Sequence, residues 1–173
     1  MSLITKHNYE KMGFHVWFIK PSTDTRDGVT IIRSRIGLEA EAEVITPEAD
    51  IYKLFKEKYA GDRVIVISDE CQFFTEAQID QMRMIVDDFN IPVLNYGLKT
   101  DFTTHFFPAS KRLMEIADSL TEVKTICYCG KKATVNARLI DGKVVKDGPQ
   151  VLLGGNESYK AMCHKCWVKA LEK

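Results

Sequence analysis

VIVISDECQFF, residues 64–74, is the stretch on which the fold class turns. Residues 63–67 read as a strand whose unbroken apolar run, Val64 to Ile67, is rich in β-branched side chains and would be buried on both faces. The run ends at two adjacent carboxylates, Asp69 and Glu70, followed by Cys71, Gln72, Phe73 and Phe74. In nucleotide-binding α/β folds, ligands gather at the carboxyl ends of the strands. An Asp placed there can hold the magnesium of a nucleotide through its water shell. A second carboxylate beside it can act as general base on an attacking hydroxyl or water. The pair fits a Walker B element, and it also fits a solvated strand end that opens a loop.

Working outward, the flanking segments alternate between the two periodicities. The opening residues read as a helix that presents Leu3, Ile4 and His7 on one face and stops at Gly13. HVWFIKP (residues 15–21) is a short strand, STDTRDG a polar loop, and TIIRSRIG and EAEVI further strands. Thr46 as N-cap with Pro47 in the first turn predicts a helix start. Thr75 and Gln78 form a capping box ahead of Ile79, Met82, Val86 and Phe89, which step with a helical period. IPVLNYGL is another strand, TDFTTHFFPAS a loop, and residues 110–117 a short helix. Strands alternating with helices as far as about residue 120 predict an α/β fold with a mostly parallel sheet flanked by helices. Such a fold ordinarily opens on a strand, so the sequence reads as beginning partway through its first βαβ unit.

Past residue 120 the pattern changes. Turn signals at Asp141-Gly142 and Asp147-Gly148 and little helical period predict a small β-rich lobe over residues 121–173, closed by a helical tail, WVKALEK. It carries four of the five cysteines, as Cys127-Tyr-Cys129 and Cys163-His-Lys-Cys166. Two tight pairs, each on its own knuckle, suit a tetrahedral zinc with four protein ligands, a structural site with no open position. The bland alternative is four reduced cysteines packed as small apolar residues. His164 follows a ligand directly and reads as an exposed bystander. Cys71 stands alone and reads as a buried, unreactive thiol. Phe73, Phe74, Phe102, Phe106, Phe107 and Tyr159 read as core, or as the walls of an apolar slot for a flat base, since several lie on loops after strands.

Composition excludes other classes. The chain is 45% hydrophobic and 28% charged, with 24 Lys plus Arg against 24 Asp plus Glu. Zero net charge gives no general attraction to nucleic acid or anionic membrane. No apolar stretch approaches the roughly 20 residues that span a bilayer. The expectation is a cytoplasmic protein without membrane or nucleic-acid partners.

Taken in order, the motifs resemble those of the type II thymidine kinases, in their bacterial, cytosolic-type form, over nearly the whole chain. KPSTDTR, SRIG, DECQFF, YGLKTDF followed by FF, TICYCGKKAT and VLLGGNESYKAMCHKC carry the resemblance. It implies a P-loop-NTPase-like sheet and a zinc-binding lobe bearing a lasso loop. It further implies that Glu70 is the general base taking the proton of the thymidine 5′-hydroxyl as that oxygen attacks the γ-phosphate of ATP. Asp69 would organise magnesium, with Asp24, Thr25 and Arg26 beside the phosphates and Cys71 and Gln72 in the same segment. Phe73, Leu98, Phe102 and Phe107 would line the thymine slot. The lasso, Gln150, Val151, Leu152, Leu153 and Gly154, would hold the base through its backbone, closed by Tyr159. The cofactors implied are structural zinc and magnesium, with ATP as donor; the regulator implied is dTTP as feedback inhibitor, and the assembly a homotetramer.

One family element has no match. Members open with a strand and a Gly-rich phosphate loop ending Ser-Gly-Lys-Ser/Thr, and this sequence contains no Gly-Lys-Ser or Gly-Lys-Thr. That loop supplies the amides and the lysine that cradle the phosphates. The expectation is therefore impaired phosphoryl transfer with the acceptor pocket kept. Two alternatives follow: a non-catalytic thymidine- or dTTP-binding paralogue, and a zinc-ribbon, nucleic-acid-dependent ATPase, against which the neutral charge counts.

Overall fold

The computed structural model describes all residues except 25–27, 29, 35–36, 60–62, 151–157 and 173. In chain order it contains α1 (Ser2–Lys11), β1 (His15–Pro21), β2 (Ile31–Arg33), β3 (Glu39–Glu41), β4 (Glu43–Ile45) and α2 (Ile51–Tyr59). Next come β5 (Val64–Ser68), a 3-10 turn (Cys71–Phe73), α3 (Glu76–Phe89), β6 (Val93–Asn95) and α4 (Pro108–Ile116). The remainder is β-rich: β7 (Thr125–Ile126), β8 (Lys132–Ala133), β9 (Val135–Ile140), β10 (Lys143–Val145) and β11 (Tyr159–Met162), then α5 (His164–Leu171). No helix among the described residues is long and apolar enough to cross a membrane.

Contacts divide the chain into two compact units, Met1–Leu98 with Pro108–Ile116, and Lys99–Phe107 with Ala117–Lys173. The first is built on a four-stranded sheet in the order β4-β1-β5-β6, parallel throughout. All five residues of β5 are buried, as a strand covered on both faces requires. Each Val or Ile so buried stabilises the fold by about 1.5–3 kcal/mol relative to exposure. One face packs Trp17, Ile19, Val64 and Val66 against Ile51, Phe55, Ile79, Met82 and Ile85, from α2 and α3. The other packs Phe18, Ile65 and Ile67 against Leu3, with Tyr9 beside them. Chain order runs from β1 outward to β4 and then returns past β1 to β5 and β6, so the direction of the strand order reverses between β1 and β5. That reversal is where open α/β sheets form ligand crevices.

Two local expectations are shifted by packing. α2 begins after Asp50, whose Oδ1 accepts the Lys53 amide at 2.9 Å, rather than at Thr46. Thr46 is drawn into a turn instead, because Gln78 Nε2 donates to the carbonyls of both Thr46 and Ala49. α1 buries Ser2 and Leu3 and leaves Ile4 44% exposed, so its inner face is rotated from the one expected. The capping box of α3 forms with both bonds in place, Gln78 amide to Thr75 Oγ1 and Thr75 amide to Gln78 Oε1, each 3.1 Å.

The second unit has a three-stranded antiparallel sheet, β10-β9-β11, and a two-stranded hairpin, β7-β8. One small apolar cluster there consists of Cys127, Val135, Ala137, Met162, Cys163 and Trp167.

Candidate active site

In the first unit, the carboxyl ends of β1 and β5 deliver the polar groups. The Asp69 amide donates to the Ile19 carbonyl at 3.1 Å, which carries the pairing of β1 and β5 one step beyond the strand. Glu70 then adopts a left-handed backbone, φ 50° and ψ 38°, and caps the 3-10 turn. A non-glycine residue there costs about 1–2 kcal/mol and turns the chain sharply. Gln72 is 2% exposed and bridges two segments: Nε2 donates to Glu70 Oε2 at 2.5 Å, and Oε1 accepts the Leu98 amide at 3.0 Å. Cys71 donates its amide to the Tyr96 carbonyl at 2.9 Å, and Ser68 Oγ donates to Asn95 Oδ1 at 2.6 Å. Gly97 lies against this turn so closely that a Cβ would strike Gln72 Oε1 and sit 2.6 Å from Cys71 Sγ. Only glycine therefore lets the segment after β6 lock the Glu70–Gln72 pair.

The electrostatics differ between neighbours. Burial, then the charge of Glu70, raises the Asp69 carboxyl above its ordinary value, with the Ser2 hydroxyl and the Glu70 amide pulling it back in part. Burial, with both carboxylates beside it, pushes the Cys71 thiol up to about 12, so it stays protonated and unreactive. The folded chain holds the Asp69 proton more tightly than the unfolded chain does. That contribution is complete below the ordinary carboxylate range and is lost as pH rises through the raised folded value. Asp69→Asn is accordingly expected to raise the melting temperature at about pH 7 without magnesium. The gain should vanish near about pH 3, where both side chains are neutral. Melting curves at the two pH values check this, and a variant less stable at both would contradict it.

Asp24 is 5% exposed, and its Oδ2 lies 3.3 Å from Nζ of the fully buried Lys20. Lys20 also donates to the carbonyls of Ile31 (3.1 Å) and Gly28 (3.3 Å), which fastens the polar loop to the end of β1. Thr25 and Arg26 lie outside the described residues. Phe74, not Phe73, enters the core; Phe73 is half-buried and Leu98 is 41% exposed.

The second unit holds the remaining candidates. Phe102 and Phe107 are buried, at 2% and 5% exposure. Asp101 Oδ1 accepts from the Thr103 amide and hydroxyl and from the His105 amide, and Oδ2 accepts from Gln150 Nε2 at 3.0 Å. Burial opposes its charge, but these hydrogen bonds outweigh burial and hold the carboxyl below its ordinary value. Val151, Leu152, Leu153 and Gly154 lie outside the described residues. Sequence reasoning missed Asp101, Gly97, Lys20 and above all Arg138, which is 1% exposed and bonds to Tyr159 and to the main chain at residues 149–150.

The Sγ atoms of Cys127, Cys129, Cys163 and Cys166 lie within 4.8 Å of one another, with Cys129 and Cys163 3.7 Å apart. A tetrahedral ion with Zn–S bonds of about 2.3 Å separates its sulfurs by about 3.8 Å, so the four thiols fit such a site. Burial raises the Cys127 thiol, but the amides of Cys129 and Cys163 and the neighbouring thiols more than offset this and pull it down to about 6, towards the thiolate a metal needs. His164 is exposed and lies beside Trp167, with ring centroids 5.5 Å apart and the planes tilted by 50°.

A family model described as thymidine kinase matches residues 1–167. A thymidine kinase of Enterobacteria phage T4 is 44% identical over 99% of this chain and 89% of its own length. Proteins of the same name from Ruegeria pomeroyi (41%, covering 97% and 86%) and Lactococcus lactis (43%, covering 94% and 86%) match it similarly.

Proposed function

Because the chain belongs to the thymidine kinase family, we propose that it takes thymidine as acceptor and ATP as donor in deoxynucleoside salvage, with Glu70 as the general base. The observation that carries this reading is the placement of Glu70. It stands at the carboxyl end of β5, beside the reversal of strand order, with its backbone left-handed and its carboxylate fixed by Gln72. As the 5′-oxygen of thymidine attacks the γ-phosphorus of ATP, its proton passes to Glu70, the bond to the β-phosphate oxygen breaks, and ADP leaves. Asp69 would hold magnesium, which when bound would supply neutralisation of the charge that develops on the phosphates. Asp24, Thr25, Arg26, Cys71 and Gln72 complete this side.

The acceptor side comprises Phe73, Leu98, Phe102 and Phe107 with Tyr159 and the backbone of residues 150–154. The four cysteines would hold a structural zinc that anchors β11, the strand carrying Tyr159. dTTP occupies the nucleoside pocket as feedback inhibitor, and the protein works as a cytoplasmic homotetramer. The functional division falls near residue 120, between residues 1–120 and 121–173, although residues 99–107 and 117–120 pack with the second unit. Since the sequence has no Gly-Lys-Ser or Gly-Lys-Thr, these residues supply a base and an acceptor pocket without the amide cradle of a phosphate loop. Transfer by them alone is therefore weak.

Calorimetric titration of the zinc-loaded chain with thymidine, dTTP and ATP plus magnesium tests the proposal. Thymidine is expected to bind clearly and ATP poorly. Folded, metal-loaded protein that binds neither thymidine nor dTTP would overturn it.

A further inference from the structure

On the reading that this chain binds thymidine, we propose that Arg138 is a positioning residue for the nucleoside, fixing Phe102, the main chain at residues 149–150 and Tyr159 as one constellation. Arg138 sits mid-strand in β9 and is paired on both sides, with Val145 of β10 and Tyr159 of β11. Its guanidinium carbon lies 3.7 Å from the centroid of the Phe102 ring and 5.5 Å from that of Tyr159. Nη1 donates to the Pro149 carbonyl at 2.6 Å, and Nη2 donates to the Gln150 carbonyl at 3.0 Å. Nε and Nη2 both donate to the Tyr159 hydroxyl, at 3.2 and 3.0 Å. The main chain passes close by, since a Cβ at Gly148 would lie 3.6 Å from Nη1.

Three chain segments thus meet on one side chain. Residues 150 and 159 flank the stretch 151–157, and Arg138 holds the two flanks together. A second tie runs parallel to the first: Gln150 Nε2 donates to Asp101, the neighbour of Phe102. Loop 99–107 and segment 149–150 are therefore joined by two rungs, one a stacked cation and one a charge-assisted hydrogen bond.

The chemistry is specific to arginine. Burying a guanidinium is costly, and packing alone would be served as well by Leu or Met at this position. Among the described residues, every oxygen that Arg138 reaches is neutral. What the residue contributes is a planar fork that holds three acceptors at fixed angles while its face lies on an aromatic ring, and an ammonium cannot reproduce that.

The test is calorimetry with thymidine at low temperature, where every variant is folded, alongside metal content and amide exchange. Arg138→Lys keeps the charge and loses the fork. It is expected to weaken thymidine binding by about tenfold with zinc content unchanged, and to speed amide exchange at Gln150 and Tyr159. Tyr159→Phe keeps the ring and removes one acceptor, and is expected to weaken binding about threefold; it decides the matter if Arg138→Lys fails to load zinc. A merely structural role would lower the melting temperature and leave thymidine affinity in the cold unchanged. Wild-type affinity in a zinc-loaded Arg138→Lys protein overturns the proposal. If the wild-type chain itself binds no thymidine, the functional reading fails first. Exchange then judges Arg138 alone, and unaltered protection in Arg138→Lys overturns the positioning role as well.

Discussion

Cys163→Ser, or removal of the metal by a chelator, is expected to unfold the second unit and abolish thymidine binding, lowering affinity by more than about 100-fold. Among the described residues, the apolar cluster around the cysteines has six buried members, two of which are the proposed ligands Cys127 and Cys163. The described strands of that unit are short, none longer than the six residues of β9. A lobe of this size buries too little apolar surface to order itself, and structural zinc supplies about 10–16 kcal/mol in small metal-dependent domains. The link to binding is direct in the chain. β11 runs from Tyr159 to Met162 and delivers Cys163 as the next residue, while Arg138 of β9 pairs with Tyr159. Loss of the ion therefore releases the strand that carries Tyr159. Zinc analysis and calorimetry on the same sample check the outcome. A chelated protein that binds thymidine as before would show that the cysteines are only small core residues.

The second large effect is on turnover. Glu70→Gln keeps an acceptor for Gln72 Nε2, so the turn is expected to hold, but the side chain can no longer take a proton. With a phosphate-loop segment joined ahead of Met1 to supply the donor cradle, kcat should fall by about 10²–10⁴ while thymidine affinity changes little. Glu70→Asp should fall between, since its carboxylate is withdrawn by one methylene. Steady-state assays with both variants separate the steps. A large loss of thymidine affinity with kcat preserved would remove Glu70 from the chemistry and make it a binding residue.

Much of this was legible in the sequence wherever short-range physics decides. β5 declares itself because four consecutive apolar residues leave no solvated face. Thr75 and Gln78 close a capping box within one helical turn, and the Cys pairs carry their spacing with them. What could not be read was set by partners distant in the chain. Thr46 and Pro47 are a sound helix start, yet Gln78, 32 residues away, takes the Thr46 carbonyl and delays the helix to Asp50. Arg138 follows Val135 and Ala137 on the opposite side of its strand, so alternation places it in solvent. It is buried because loop 99–107 and residues 149–150 cover that side. Gly97 gave no signal at all, because its role is to be small where Gln72 and Cys71 approach.

The left-handed backbone at Glu70 and the raised Asp69 beside it have a further consequence, for how such a sequence drifts. Folding alone would prefer Gly or Asn at position 70 and an uncharged side chain at position 69. In a lineage released from the need to move phosphoryl groups, those two codons are where substitutions are not merely tolerated but favoured. The packed strand behind them would resist change. Decay of the activity would then be written first in two adjacent letters, while the rest of the domain went on folding as before.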